Sequence, residues 1–487
     1  MPVQQIKPEP SDQPLYKSRE PIFPRRVRGR FRNLKWVIMA VTLGIYYLTP
    51  WIRWDRGPHM PDQAVLVDLA SRRFFFFWIE IWPQQFHYVA GLLIMAGLGL
   101  FLFTSALGRV WCGYTCPQTV WTDLYMAVER WIEGDRNARI KLHHAPWSRE
   151  KARLRGTKWL VWLLIGVATG GAWVFYFADA PTLFVDLFTG DAHVVAYVSV
   201  AVLTATTFLF GGFAREQICI YACPWPRIQA AMMDEETITV GYRAWRGEPR
   251  GKHRKREGAE ELGDCIDCNA CVAVCPMGID IRDGQQLACI TCALCIDACD
   301  DVMEKTGRPR GLIDYVTLQD EAVETAGAEP IPLRKRIFRP RTMLYFVLWS
   351  AIGVGMVVSL FMRDTIDLSI ARDRNPTYIV LADGSVRNGF TIKVANQNNE
   401  PRDFVLSFRA EDPNAERLYP LEAELQNVDG LRFTVAADKL RELRLFLTTL
   451  SFANPAERVP VEVWVEDQTT RERAMQETVF LGPEPEE

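Results

Sequence analysis

Cysteine is missing from most of the chain: none of the 12 cysteines lies before position 112 or after position 299. A disulfide framework would spread its cysteines more widely, so the clustering favours metal or redox chemistry in a reducing compartment. The chain also lacks a large excess of charge of either sign. Its net charge is -3, which gives no indication of nucleic-acid binding. The first 24 residues are polar and proline-rich and have no apolar signal-peptide core, so we expect them to be disordered.

Long apolar runs are present in five segments that approach the roughly 20 residues needed to cross a bilayer. They are residues 35–51, 88–108, 158–178, 193–213 and 342–362. The aromatic run "RRFFFFWIEIWPQQF" at 72–86 is interrupted by Glu80 and Pro83, so we predict an interfacial segment there instead of a sixth span. The chain is therefore predicted to cross the membrane several times.

Positive charge along the chain predicts the orientation of these segments. Arginine and lysine cluster before the first segment, between the second and the third, and before the fifth. The connection 179–192 has three aspartates and neither lysine nor arginine. Cytoplasmic loops carry the excess of basic residues, so we expect a cytoplasmic N-terminus and a C-terminal part outside, in the periplasm.

The tail after the fifth segment changes character. "FTIKV" at 390–394, "FVLSF" at 404–408 and "VPVEVWV" at 459–465 alternate between apolar and polar residues, as half-buried strands do. Turn sequences separate them, and no cysteine is available for a disulfide between sheets. This pattern predicts an immunoglobulin-like β-sandwich.

The predicted architecture is a multi-domain membrane protein. It has a transmembrane bundle of about five α-helices, an inserted two-cluster ferredoxin-like domain, predicted from two C-x2-C-x2-C-x3-C runs, and a C-terminal immunoglobulin-like β-sandwich. The predicted divisions are a disordered basic cytoplasmic N-terminus at 1–34, a four-helix membrane domain at 35–213 with a cytoplasmic loop at 109–157, a cytoplasmic ferredoxin-like domain at 214–340 with its clusters within 260–315, a fifth transmembrane helix at 341–363 and the sandwich at 364–487.

The strongest chemical signal is a pair of cysteine runs, "CIDCNACVAVCP" at 265–276 and "CITCALCIDACD" at 289–300. Each has the spacing C-x2-C-x2-C-x3-C, which bacterial ferredoxins use to bind two [4Fe-4S] clusters, the fourth cysteine of each run ligating the other cluster. The expected ligand sets are Cys265, Cys268, Cys271 and Cys299 for one cluster, and Cys289, Cys292, Cys295 and Cys275 for the other. Structural zinc prefers two C-x2-C pairs separated by a longer loop, which disfavours the zinc alternative.

A second pattern, C-x-Y-x-C-P, follows two of the apolar segments, in "WCGYTCPQ" at 111–118 and "ICIYACPW" at 218–225. Two similar hairpins would bring their thiols together on the cytoplasmic side: Cys112, Cys116, Cys219 and Cys223. Soft thiolates select Cu(I), zinc or iron–sulfur centres, although cysteines at helix ends also serve as small buried hydrophobic residues. The residues alone leave a copper site, a redox dithiol and an additional cluster open.

These features together resemble the CcoG/FixG/RdxA family of cytochrome c oxidase accessory proteins. The stretch "DGSVRNGFTIKVANQ" at 383–397 is also similar to the last domain of that family. The resemblance implies a bacterial inner-membrane iron–sulfur protein that reduces Cu(II) to Cu(I) for assembly of a cbb-type oxidase. It also implies that the four C-x-Y-x-C-P cysteines handle copper, with oxidase subunits or copper chaperones and membrane lipid as partners.

Two other functions remain open at this point. The chain also resembles quinol-linked electron-transfer proteins, which would feed a respiratory reductase, and it could serve as a non-enzymatic scaffold for oxidase assembly. No nucleotide or flavin motif is evident, so the electron donor is not identified by the sequence.

Overall fold

The chain folds into two compact units, Met1–Trp54 with Gln63–Gly355 and Asp55–Asp62 with Met356–Glu487. The computed structural model describes residues 21–57, 60–251, 262–329, 331–363, 365–398, 400–411, 418–449 and 457–483. Most of the predicted disordered segment 1–34 therefore lies outside the described residues.

The first unit is mainly helical. Its α-helices are α1 Arg30–Leu48, α2 His87–Leu107, α3 Val110–Tyr114, α4 Pro117–Glu133, α5 Arg136–His144, α6 Arg149–Val174, α7 Ala180–Thr189, α8 Val194–Thr207, α9 Trp225–Met232, α10 Ala244–Gly247, α11 Ala270–Val274, α12 Leu294–Lys305, α13 Leu318–Thr325, α14 Leu333–Ile337 and α15 Pro340–Phe361. Two π-helical turns, Phe208–Ala214 and Ile218–Ala222, follow α8.

Four of the described helices are long and apolar enough to cross a membrane: His87–Leu107, Arg149–Val174, Val194–Ala214 and Pro340–Phe361. They coincide with the second to fifth predicted segments. The third runs from α8 through the first π-helical turn without interruption. Little of the last helix is buried in the protein, as is expected of a helix that faces lipid.

Helix α1 corresponds to the first predicted segment, but its beginning is polar. Arg32 and Lys35 are buried and pair with Asp123 of α4 at 2.9 and 3.6 Å. At the other end of α1, the Tyr46 hydroxyl donates to the Thr169 carbonyl near the end of α6, at 2.8 Å. Helix α1 therefore runs alongside α6, although its charged beginning keeps it outside the group of four apolar helices.

The segment before α1 is ordered over its described residues 21–29, and α1 begins at Arg30, contrary to the predicted disorder through residue 34. The Arg25 amide donates to the Ala273 carbonyl at 2.7 Å, and in the first turn of α1 the Arg32 amide donates to the Asp297 carboxylate at 2.8 Å. These contacts attach the segment to the helices that carry the cysteine runs, and no spacing rule in the sequence indicates such long-range pairing.

The aromatic run at 72–86, predicted to be an interfacial segment and not a sixth span, forms part of a small antiparallel sheet. Strands β1 Val65–Asp68, β2 Arg73–Phe76 and β3 Ile79–Ile81 pair in the order β1-β2-β3. Glu80 is buried in this sheet and pairs with Arg73 at 3.0 Å, which explains how a carboxylate is tolerated among the aromatic residues.

The ferredoxin-like insert begins and ends on one two-stranded ladder. Strand β4 Thr239–Tyr242 pairs antiparallel with β5 Ile313–Val316, so that Thr239 lies opposite Val316. Asp234, just before β4, pairs with Arg339 and with Arg341 of α15, at 2.6 and 2.8 Å. The insert is therefore attached to the beginning of the last span.

The second unit is a β-sandwich. Its strands are β6 Ile366–Arg372, β7 Ile379–Val380, β8 Val386–Asn396, β9 Arg402–Ala410, β10 Leu421–Leu425, β11 Arg432–Val435, β12 Lys439–Thr449, β13 Arg458–Asp467 and β14 Arg473–Leu481. One sheet has the order β10-β12-β8-β6, with β7 on β8, and the other has the order β11-β9-β13-β14. The three predicted strands lie within β8, β9 and β13, and their apolar positions, such as Phe390 and Phe404, form the core. The prediction of a sandwich is confirmed.

Candidate iron–sulfur and thiol site

The two cysteine runs adopt the same local fold. In each, the residues on either side of the second cysteine have positive φ: Asp267 and Asn269 around Cys268, and Thr291 and Ala293 around Cys292. A β-branched residue such as Thr291 rarely adopts this conformation, so the surrounding structure must impose it. Both loops therefore curl around their cysteines in the same way and lead into α11 and α12.

The fourth cysteine of each run lies beside the other run. Burial and then the neighbouring thiols Cys271, Cys268 and Cys265 raise the pKa of Cys299 to about 12. Burial and then Cys292 likewise raise the pKa of Cys275 to about 12. The structure thus brings together the two sets of four cysteines that the spacing predicts, and the assignment of iron to each set stays a prediction.

The donor sets suit a cluster better than a single ion. Among the described residues, no three cysteine, histidine, aspartate or glutamate side chains are close enough to share one metal ion. A [4Fe-4S] cluster offers a separate iron to each thiolate, so its four ligands lie further apart than those of tetrahedral zinc. One internal cavity is lined by the complete second set, Cys275, Cys289, Cys292 and Cys295. These residues fit a cluster.

The crossed arrangement predicts which variants share a spectroscopic phenotype. We expect Cys275→Ser to lose the same cluster signal as Cys292→Ser, and Cys299→Ser the same signal as Cys265→Ser, each with about half of the iron lost. Iron analysis and electron paramagnetic resonance of the reduced protein measure this. If Cys275→Ser instead matched Cys271→Ser, each run would hold its own cluster and the crossed assignment would be wrong.

The four C-x-Y-x-C-P cysteines lie where helices break after two of the spans. Cys112 is inside the short helix α3, and Cys116 directly precedes α4, which begins at Pro117. Cys219 is inside the second π-helical turn, and Cys223 ends that turn just before Pro224. Pro117 is the first residue of α4, where its missing N–H leaves no backbone acceptor unpaired, and Pro224 directly precedes α9.

All four thiols lie within electrostatic reach of one another. Burial, followed by the charges of Cys116, Cys112 and Cys223, raises the pKa of Cys219 to about 12. Burial also raises the pKa of Cys112 and of Cys116, and Cys223 contributes to both shifts. We call these four residues the thiol quartet. A bound soft cation would have to displace their protons, because the thiolate is the metal ligand.

The thiol quartet borders the second cysteine run. The Tyr114 hydroxyl donates to the Cys292 carbonyl at 3.2 Å. A Cβ atom on Gly113 would lie 2.5 Å from the Ile290 carbonyl oxygen, so only glycine permits this approach. Cys112 and Cys292 also belong to one buried apolar cluster, against which Cys219 and Cys275 pack. Direct packing thus connects the quartet with the second set.

Two polar residues at the quartet were not identified from the sequence. The Cys112 thiol donates to the Gln229 side-chain carbonyl at 3.1 Å, and Gln229 is fully buried. Arg109 is buried within electrostatic reach of Cys112, Cys219 and Cys289. Arg109 stands three residues before Cys112 in "GRVWCGYTCP", but nothing in the sequence indicates that it is buried, so no signal in the sequence reveals its position at the quartet.

Three family models match the chain. A 4Fe-4S dicluster domain matches residues 214–318, and an IG-like fold at the C-terminal of FixG matches residues 356–483. A 4Fe-4S binding domain matches residues 89–137, which include Cys112 and Cys116. The chain is therefore an iron–sulfur protein of the ferredoxin type with an immunoglobulin-like C-terminal domain.

Several bacterial proteins are similar over nearly the whole length. Protein RdxB of Cereibacter sphaeroides is 61% identical over 478 residues, covering 98% of this chain and 99% of the relative. Protein RdxA of the same organism is 61% identical over 444 residues, covering 91% and 92%. Nitrogen fixation protein FixG of Rhizobium meliloti is 53% identical over 497 residues, covering 96% and 94%.

Proposed function

The chain belongs to the FixG/RdxA family of iron–sulfur membrane proteins, and from this premise we propose that it reduces Cu(II) to Cu(I) for assembly of a cbb-type cytochrome c oxidase. The observation that carries the proposal is the contact between the thiol quartet and the second cysteine run at Gly113 and Tyr114. Groups that exchange electrons must be close, and this contact makes them neighbours.

The chemistry of the two sites is complementary. Clusters bound by the two cysteine runs would supply single electrons, which the reduction of Cu(II) requires. The thiol quartet prefers Cu(I), because thiolates are soft ligands. The surroundings of the quartet are largely apolar and include Met277, Ile290 and Leu294. Apolar surroundings disfavour the charged thiolate, so the thiols stay protonated until a cation displaces their protons. Copper is the substrate in this scheme. Two thiols of the quartet would retain the reduced ion until it is passed on, because no three of the described cysteine side chains are close enough to share one ion.

The proposed location is the bacterial inner membrane, with the ferredoxin-like domain in the cytoplasm and the sandwich in the periplasm. Two features support this orientation. Basic residues such as Arg109, Arg339 and Arg341 stand at the ends of spans next to the ferredoxin-like domain, where the positive-inside rule expects them. The segment before α1 and the first turn of α1 also contact that domain, which supports a location of both on the same side of the membrane. Oxidase subunits or copper chaperones are the proposed partners that receive Cu(I).

The proposal is tested with the anaerobically purified full-length protein. Its clusters are reduced with dithionite, excess reductant is removed, and Cu(II) is added with a Cu(I)-specific chelator. We expect cluster oxidation and Cu(I) formation to proceed together. In the Cys116→Ser/Cys223→Ser variant we expect Cu(I) formation to fall to the background rate, with the clusters of the two runs still present.

The matched control is Ala222→Ser, which adds a hydroxyl next to Cys223 and leaves the quartet complete. It should behave as the unaltered protein does. Clusters that stay reduced in the presence of Cu(II) would overturn the proposed activity. A loss of iron in Cys116→Ser/Cys223→Ser would instead indicate that the quartet holds an additional cluster, and the assignment of copper to it would then be wrong.

A further inference from the structure

A small cavity of about 30 Å³ adjoins both the thiol quartet and the cysteine runs. Cys219 of the quartet forms one wall, and Met277 and Ile290 form another. Met277 and Ile290 also line the cavity of the second cysteine set, so the two cavities share a wall. One water-sized sphere occupies about 10–15 Å³, so the small cavity accommodates a single ion and excludes organic ligands.

Sulfur-containing side chains from three separate segments meet at this cavity. Met126 of α4 and Met277, directly after the first cysteine run, both line it and are only 4% and 7% exposed. Thr119 also lines it, two turns before Met126 on the same face of α4. Cys219 comes from the second π-helical turn. Thiolate and thioether sulfurs are the soft ligands that select Cu(I).

The thiols alone do not surround a single ion. Among the described residues, no three cysteine, histidine, aspartate or glutamate side chains are close enough to share one metal ion. Any further protein ligand for an ion at the quartet therefore has to come from another residue type. Methionine supplies a soft ligand without a charge of its own, so it adds no buried charge that would have to be neutralised.

The charged residues at the cavity favour a monovalent ion. Two cations, Lys35 and Arg215, line it, and each is paired with a carboxylate: Lys35 with Asp123 at 3.6 Å and Arg215 with Glu129 at 2.5 Å. Glu216, which is buried and also lines the cavity, adds a third carboxylate. The repulsion that remains from the two cations is twice as large for a divalent ion as for Cu(I), because Coulomb energy is proportional to charge.

We propose that the thioethers of Met126 and Met277 complete the coordination of Cu(I) at Cys219 in this cavity and make the site selective for Cu(I) over Zn(II). The inference rests on the proposed function, in which the quartet retains the reduced ion. Zinc is bound in proteins by cysteine, histidine and carboxylate side chains, so thioethers give it no advantage. A methionine that only filled a gap in the packing would be replaceable by leucine, which has a similar volume. Leucine variants therefore separate a ligand from a packing residue.

The test adds Cu(I) directly to the anaerobic full-length protein in detergent, so that binding does not depend on reduction by the clusters. Competition with a Cu(I)-specific chelator measures the Cu(I) affinity, and competition with a zinc chelator measures the Zn(II) affinity. We expect Met126→Leu and Met277→Leu each to lower the Cu(I) affinity by about tenfold or more, because even residues that only support a metal ligand contribute about 10- to 100-fold. The Zn(II) affinity and the iron content should be unchanged. In protein labelled with selenomethionine, X-ray absorption at the copper edge should show selenium bound to copper, and Met126→Leu/Met277→Leu should abolish that signal.

Met303→Leu is the matched control, because Met303 is 2% exposed, packs around the first cysteine set and does not line the cavity. It should keep both affinities. Unchanged Cu(I) affinity in Met126→Leu/Met277→Leu, or no selenium next to copper, would overturn the inference and leave the proposed function standing. A parallel loss of Cu(I) and Zn(II) affinity would also overturn it, since the methionines would then only support the packing. If the unaltered protein bound no Cu(I), both would be wrong, whereas clusters that stay reduced in the presence of Cu(II) would contradict only the proposed reduction.

Discussion

A single methyl group at Gly113 is expected to separate the thiol quartet from the second cysteine run. In Gly113→Ala the new Cβ would lie 2.5 Å from the Ile290 carbonyl oxygen and 3.1 Å from the Cys292 Cα atom. Both neighbours are backbone atoms, which cannot rotate away as a side chain would. Overpacking of this kind is unfavourable by about 1–3 kcal/mol. The overlap is removed only if α3 moves away from the loop before α12.

The functional effect should exceed the effect on stability. We expect the rate of Cu(I) formation from the reduced protein to fall by about tenfold or more, because a displacement of about 1 Å between reacting groups can lower a rate by up to about 10²-fold. The measurement is stopped-flow oxidation of the clusters by Cu(II), together with the thermal unfolding midpoint.

Gly156→Ala is the matched control for this experiment. Gly156 is also in a helix, α6, and a Cβ atom there would meet nothing within 4 Å. Alanine should be neutral or slightly stabilising at that position, because it restricts the unfolded chain. If the clusters of Gly113→Ala and Gly156→Ala were oxidised by Cu(II) at the same rate, electron transfer would not depend on the close contact at Gly113.

Removal of the charge on Glu129 should be the most destabilising conservative change in the helical unit. Glu129 is 2% exposed and accepts hydrogen bonds from Arg139 and, at 2.5 Å, from Arg215, while Lys158 lies 3.5 Å away. Burial alone would raise the pKa of Glu129, but these three cations outweigh it and lower the pKa below its usual value. In Glu129→Gln these three cations would lose their shared counter-charge. We expect the free energy of unfolding to fall by about 3–5 kcal/mol.

The same change should disturb the thiol quartet. Glu129 is on α4, which begins right after Cys116, whereas Arg215 stands four residues before Cys219. Their ion pair therefore holds the two motif-bearing segments together. We expect Glu129→Gln to lower the unfolding midpoint and to weaken copper binding, as measured by calorimetric unfolding and by competition with a Cu(I) chelator.

Glu150→Gln is the control for Glu129→Gln. Glu150 is exposed in the first turn of α6, so its charge is solvated and its loss should change stability little. Equal unfolding midpoints for the two variants would contradict the importance of the buried pairs of Glu129.

The features that the sequence predicts well are those with a local signal. The eight cysteines of the two runs have a spacing that specifies their loops, and the structure repeats the positive-φ residues around Cys268 and Cys292. In the strands around Phe390 and Phe404, apolar and polar residues alternate because one face of each strand packs into the sandwich core. The apolar spans are long enough to be found by length alone.

The features that the sequence does not reveal depend on contacts between distant segments. Asp123 neutralises Arg32 and Lys35 from another helix, so the charges at the beginning of α1 could not be explained from its own sequence. The sheet at 65–81 depends on the pairing of three short strands, two of which lie in a run that reads as irregular. The positions of Arg109 and Gln229 follow from packing alone, because neither belongs to a recognisable motif.

The ladder between β4 and β5 has a consequence for the length of the segment between them. Because Thr239 lies opposite Val316, the chain leaves the membrane bundle and returns to it at adjacent points. A segment with neighbouring ends can change in length without separating the elements on either side of it. Changes of length within the redox module are therefore expected to leave the two flanking helices in place, because the ends of the module stay adjacent.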